Sequence, residues 1–231
     1  MLEYKKKKLD KAQIIIGIVM GIWALMILFP FYNAILASIS TQREFSRNPL
    51  MLFPQEVTFS AYSYLMKATS LMTGYRNTLF FLALGVPFSM LITVSTAYVL
   101  SRPSFPGKKI YVFLVLFTMY FSGGMVPIYL LMKEMKLTNS LVGIVLLYGG
   151  NTFYAILIRN FFQSIPHEIE ESAKIDGASE MLTFFRIILP LSVPILMTVI
   201  LFLAVDRWNE WFNVMLMVRD SNTWTLKVIL R

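Results

Sequence analysis

Five stretches of this chain contain no Asp, Glu, Lys, Arg or His: residues 12–42, 77–101, 110–132, 137–158 and 187–205. Together they occupy about half of the 231 residues. A hydrocarbon layer about 30 Å thick is crossed by roughly 20 helical residues, so each stretch is long enough, or nearly so, to span it. The expectation is an all-α, polytopic membrane protein with five transmembrane helices. Composition agrees, at 57% apolar and 15% charged residues with a mean hydropathy of +0.64.

The same composition excludes several chemistries. Without Cys there is no disulfide framework and no thiol catalyst, and the single His167 leaves no His-rich metal cluster. No metal site and no catalytic residue is expected. The net charge of +8 is concentrated in part in Lys5, Lys6, Lys7, Lys8 and Lys11, directly before the first apolar stretch. That placement suits anionic membrane lipid rather than nucleic acid. A cleaved signal peptide is the competing reading of the N-terminus, since Ala37, Ser38 and Ser40 are small residues after an apolar run; the run is far longer than a signal core, which favours a retained helix.

With the basic N-terminus in the cytoplasm, residues 1–11, 102–109 and 159–186 lie inside, and 43–76, 133–136 and 206–231 outside. Lys and Arg are denser on the inside, as the positive-inside rule asks. The expected organisation is a basic cytoplasmic N-terminus (1–11), a first transmembrane helix (12–42), an external cap (43–76), a transmembrane core (77–205) with cytoplasmic helices at 164–186, and an external tail (206–231). Within the cap, residues 58–62 begin either a short surface helix or a plain loop, the helix being favoured. Arg102 to Lys109, with two prolines, a glycine and three positive charges, reads as a tight hairpin.

The segment from Ser164 to Pro190 is the most informative. Pro166 suits a first helical turn, and Glu168, Glu170 and Glu171 place negative charge near the positive end of a helix dipole. A short helix from about 166 to 176 is expected. Gly177 can take the left-handed conformation that ends it, and Ser179 can cap a second helix running through Phe184 and Phe185 into the fifth span. Such a helix, glycine turn and helix is either a solvated spacer or a knob that seats in another protein's cleft, passing that partner's motion into the fifth span.

These residues resemble a known family. Glu171, Ser172, Ala173, then Gly177 after three residues, and Ile187, Leu189 and Pro190 after nine more, are similar to the EAA signature of permease subunits of bacterial ATP-binding-cassette importers. One departure is Ser172, where the family usually has alanine. Phe161 to Pro166, Ala173 to Ala178, Tyr120 to Pro127 and Trp208 to Phe212 narrow the resemblance to carbohydrate-importer permeases of the maltose and oligosaccharide type. The resemblance implies a MetI-like importer-permease fold, half of a translocation pore in the bacterial inner (cytoplasmic) membrane. It implies partners as well: ATP-binding-cassette ATPase subunits, a second homologous permease and an external solute-binding protein. Glu170, Glu171, Ser172, Ala173, Asp176, Gly177 and Ala178 would then couple to the ATPase. The chain itself would hold no cofactor, ATP being bound by the partner.

A solute path is expected where the third and fourth stretches are interrupted. Tyr120, Ser122, Gly123 and Gly124, with Pro127, break the third; Tyr148, Asn151 and Thr152, with Gly149 and Gly150, break the fourth. Helix breakers at membrane depth are tolerated where protein or a wet cavity satisfies the freed backbone groups. Gly149 and Gly150 serve equally well simply to let helices pack closely. Asn, Thr, Ser and Tyr suit a neutral hydroxylated solute, and aromatic faces stack on sugar rings.

The charge-free stretches oppose ion-coupled transport, which usually places ionisable groups within the membrane. No phosphate-binding G-x-x-x-x-G-K-[ST] loop occurs, so ATP hydrolysis falls to another subunit. Asp206, Arg207 and Glu210 cluster after the fifth stretch but lack a base suited to catalysis, and read as polar residues at the membrane edge. His167 could sense pH near neutrality, although an exposed His in a docking helix is usually inert. The alternative to the importer reading is a structural or assembly membrane protein, or a non-functional fragment of such a permease. Members of the resembling family have six helices with both ends in the cytoplasm. Five stretches are present before Arg231, so a last helix is expected to be missing, at a cost in stability and transport.

Overall fold

The computed structural model describes residues 11–103 and 105–231, so the lysines at 5–8 lie outside the described residues. Residues up to Thr69 and residues from Ser70 form two compact units.

In the first unit, α1 (Lys11–Ser38) has one buried residue, Leu36, and Pro30 inside it. Ile14, Trp23, Leu25 and Phe31 are among its many exposed apolar side chains, the surface a helix presents to lipid rather than to water. The stretch that follows folds back on the end of α1. Thr41 caps α2 (Gln42–Arg47) by accepting from the Glu44 amide at 3.3 Å. Ser40 and Val57 form an antiparallel bridge, and the Asn33 amide donates to the Pro49 carbonyl at 2.8 Å. The favoured short helix is present as α3 (Ser60–Lys67), and its Tyr62 hydroxyl meets the Ser38 hydroxyl at 2.9 Å.

The second unit is organised on α4 (Thr69–Ser101), which begins within the residues expected as cap. Its buried face is a stripe of small and hydroxyl residues, including Gly74, Thr78, Gly85, Ser89, Thr93 and Ala97, while Leu79, Phe80, Leu84 and Leu91 point outward. That is inverted relative to a water-soluble helix. Lipid offers apolar side chains no penalty, so packing and interhelical hydrogen bonds select the interior instead.

α1 and α4 are each long and apolar enough to cross a membrane, and three bent pairs raise the number of candidate spans to five. α5 (Lys108–Tyr120) and α6 (Met125–Glu134) meet at 107°, α7 (Leu141–Leu147) and α8 (Thr152–Ser164) at 51°. The third pair bends by 76°. Its first arm contains α10 (Glu180–Thr183), a π turn over Phe184–Ile188 and α11 (Leu189–Leu191), and its second arm is α12 (Val193–Asn209). α9 (His167–Ile175) lies between α8 and α10.

Two expectations are corrected here. The last span does not follow the charge-free stretch 187–205: the bend at Ser192 starts α12 six residues later, and the helix continues through Asp206 and Arg207 to Asn209. Hydropathy marks what lipid tolerates, whereas Pro190 and Pro194, which lack amide donors, flank the turn where the helix changes direction. Residues 206–231, expected as an external tail, are folded into helices. They form α13 (Phe212–Met217), a 3₁₀ turn at Ser221–Thr223 and α14 (Leu226–Ile229). Val214, Met217, Val218 and Val228 join Phe81, Met132, Leu141, Ile144 and Val145 in one buried cluster. A second cluster unites Val94 and Ala97 of α4 with Tyr154, Ile158 and Phe162 of α8 and with Ile188, Val199 and Leu203.

Candidate functional site

The break between α7 and α8 frees backbone groups in the middle of the unit, and neighbouring helices satisfy them. The Tyr148 carbonyl accepts from the Ser89 hydroxyl at 2.8 Å and from Arg207 Nη2 at 3.0 Å. The Asn151 amide donates to Thr93 Oγ1 at 3.5 Å, and its side-chain oxygen caps α8 by accepting from the Tyr154 amide at 3.1 Å. Non-helical backbone persists at this depth because α4 and α12 supply its hydrogen bonds.

Beside the break lies a cavity of about 330 Å³ lined by Tyr148, Gly150, Asn151, Asp206, Arg207 and Glu210 among others. Arg207 is 5% exposed, with its guanidinium 4.2 Å over the Tyr148 ring and Nη2 donating to the Ser89 hydroxyl at 3.2 Å. The Tyr148 hydroxyl donates to Glu210, whose other oxygen accepts from the Asn213 amide at 2.8 Å. Tyr154 donates to Asp206 at 2.9 Å. Two tyrosines and two carboxylates thus surround one buried cation. Each carboxylate carries more lone pairs than its partners use, so the wall can accept hydroxyl protons from a polyol.

Arg207, Asp206 and Glu210 therefore belong to an organised network, whereas their sequence suggested residues of the membrane edge. The charge-free stretches concealed this, because each was drawn to stop at the first ionisable residue. A signal was nonetheless present: Asp-Arg closing an apolar helix, with Glu210 four residues after Asp206 on the same face. Of the residues expected on a solute path, Tyr148 and Asn151 line the cavity. Thr152 instead meets Thr118 of α5 at 3.5 Å. Tyr120 is 75% exposed at the end of α5, and Ser122, Gly123 and Gly124 form the bend into α6, where the Gly124 amide donates to Ser122 at 3.2 Å. Gly124 has φ +86°, a conformation that glycine reaches without strain.

The second region is the corner made by α9 and α10. Gly177 sits between them at φ +82° with no atom near its Cα substituent position, and Ser179 accepts from the Leu182 amide at 3.3 Å. The Ala178 amide returns to the Ala173 carbonyl at 2.9 Å and the Gly177 amide to Lys174 at 3.0 Å, closing the helix end. Glu170 and Ala173 turn inward; Glu171, Ser172, Asp176 and Gly177 are exposed, and Ala178 is half-buried. Ile175 at 86% and Met181 at 65% exposure flank the corner, so its outer surface is small at the glycine and apolar at both sides.

Broken spans around a polar cavity, joined to a two-helix corner between α8 and α12, define a membrane transport component. Residues 77–212 match the family described as binding-protein-dependent transport system inner membrane component. The chain is 38% identical over 211 residues to protein LplC of Bacillus subtilis, covering 91% of this chain and 71% of that one. It is 38% identical over 209 residues to the polygalacturonan/rhamnogalacturonan transport system permease protein YtcP of the same organism, covering 90% and 73%. A crystal structure of a bacterial ABC transporter involved in the import of the acidic polysaccharide alginate contains a chain that superposes with a TM-score of 0.91 at 34% identity, covering 97% of this chain and 82% of that one. The chain belongs to this family of inner membrane components, the permease subunits of ABC transporters.

Proposed function

We propose that the chain is the permease of a bacterial importer that carries a sugar or oligosaccharide across the inner membrane. It pairs with a second, related permease, receives solute from an external binding protein and is driven by two ATPase subunits that hold the ATP, so the chain needs no cofactor of its own. The corner of α9 and α10 carries the reading. A glycine without a side chain at φ +82°, flanked by exposed Ile175 and Met181, is a compact knob that an ATPase cleft can receive. Glu171, Ser172, Asp176, Gly177 and Ala178 supply its outward or corner surface, while Glu170 and Ala173 set its seat on the membrane domain.

The cavity bounded by Tyr148, Asn151, Asp206, Arg207 and Glu210 serves as a station on the solute path. Relatives named for polygalacturonan, rhamnogalacturonan and diacetylchitobiose transport support a saccharide solute. The test is ATP-dependent uptake of labelled oligosaccharides into proteoliposomes that hold the complete importer. Uptake that requires ATP, the binding protein and this chain is expected. Uptake driven by a proton or sodium gradient without ATP contradicts the proposal.

A further inference from the structure

The corner of α9 and α10 is joined to α12 through the chain, but only by way of a π turn and a 76° bend at Ser192. A second connection is more direct. Arg102 follows the last residue of α4, and its guanidinium pairs with Glu170 on the inward face of α9, the two side chains being 16% and 11% exposed. It is the only ion pair among the described residues. The same guanidinium lies 4.4 Å over the ring of Tyr98, and Arg102 Nε donates to Ser101 Oγ at 3.2 Å.

Tyr98 extends the contact to the other short helix. Its ring lies 4.3 Å from that of Phe184 in the π turn, and its hydroxyl donates to the Glu180 carbonyl of α10 at 3.4 Å. The end of α4 therefore grips α9 by charge, α10 by a tyrosine hydrogen bond and the π turn by ring contact, while Ile175, Gly177 and Met181 stay on the exposed surface. A half-buried pair of this kind resists separation, because removing one partner leaves the other charge uncompensated.

We infer that Arg102 and Glu170 are positioning residues that lock α9 to α4, so that displacement of the corner by a bound ATPase moves α4 as well as α12. The inference rests on the proposed docking of the corner on an ATPase. Packed helices either slide together or jump between discrete contacts, and an ion pair at the point of contact favours the first.

The absence of Cys allows two spin labels to be placed without background, at Val99→Cys on α4 and Glu168→Cys on α9. Their separation is measured by pulsed electron paramagnetic resonance in the complex with its ATPase, nucleotide-free and trapped with ATP and vanadate. With Arg102 and Glu170 intact the two states are expected to give one distance. With Glu170→Gln, trapping should shift it by about 2 Å or more, the scale on which packed helices slide, and the exchange Arg102→Glu with Glu170→Arg should reduce that shift. Should Glu170→Gln not yield a monodisperse complex, Arg102→Lys, which keeps the charge but loses the planar fork, is measured in the same two states with a smaller shift expected. If ATPase is bound and the distance behaves alike with and without the pair, the inference is overturned while docking stands. If no ATPase accompanies the unaltered chain, the docking proposal fails and the inference fails with it.

Discussion

Arg207 holds Tyr148 twice: its Nη2 donates to the Tyr148 carbonyl at 3.0 Å, and its guanidinium lies 4.2 Å over the Tyr148 ring. One side chain of α12 thereby fixes both the backbone and the ring of the residue at which the span formed by α7 and α8 breaks. Arg207→Gln removes a charged donor from the Tyr148 carbonyl and Ser89, which keep the hydrogen bond between them, and a loss of about 1.5–3 kcal/mol is expected, the usual net worth of a hydrogen bond to a charged group. Arg207→Lys keeps the charge without the flat, forked geometry and should fall between. Thermal denaturation of the detergent-purified protein checks the order native, Lys, Gln.

Tyr148→Phe tests the cavity wall by removing a single hydroxyl. The ring can still lie under Arg207, but Glu210 and Asn213 lose the hydroxyl that joins them. Denaturation is expected to move by about 1.5–3 kcal/mol, the usual net worth of a hydrogen bond to a charged group. Uptake should fall several-fold, because Glu210 of the cavity wall loses the partner of one carboxylate oxygen and is held only through the other, by Asn213. Equal rates for the variant and the native chain in the proteoliposome assay contradict a role for this wall on the solute path.

Gly143 is required by close packing. A Cβ there would stand 1.9 Å from the Leu137 carbonyl oxygen, which belongs to rigid backbone. Gly143→Ala is expected to cost about 1–3 kcal/mol or more through overpacking. Gly17, on exposed α1, has nothing within 4 Å of its Cβ position, so Gly17→Ala serves as the control with no measurable loss. The two melting curves, recorded side by side, decide the matter.

Asn77 ties the end of the described chain to α4 by donating to the carbonyls of Asn222 at 2.8 Å and Trp224 at 3.0 Å. Asn77→Ala leaves both carbonyls to find other partners. Faster amide exchange is expected across residues 222–230, with residues 152–164 unchanged. Unaltered exchange in the first segment would show that burial of Leu226 and Val228, with the Leu226 amide's bond to Thr78, suffices to hold it.

Local signals predicted local structure well. Pro166, the glutamates behind it, Gly177 and Ser179 mark a helix, a left-handed turn and a cap, and α9, the φ of +82° at Gly177 and the Ser179 cap follow them. Bounds of the spans were less legible, since Ser192 bends a run that hydropathy reads as uniform. The network at Arg207 was the least legible. Its partners Ser89 and Tyr148 lie 118 and 59 residues away, and only the packing of α4, α7 and α12 brings them together. The inward turn of Glu170 is hidden for the same reason, its partner being 68 residues distant.

Docking of the α9–α10 corner on an ATPase is the central claim, and co-purification tests it most directly. The tagged chain and its Gly177→Asp variant are expressed with the importer's other subunits, isolated in mild detergent and assayed for bound ATPase and ATP hydrolysis. A charged side chain at φ +82° strains the turn and crowds the knob. ATPase that accompanies the native chain and is lost from the variant, while both retain the second permease, is the predicted result. Equal ATPase with both chains, or none with either, contradicts the account.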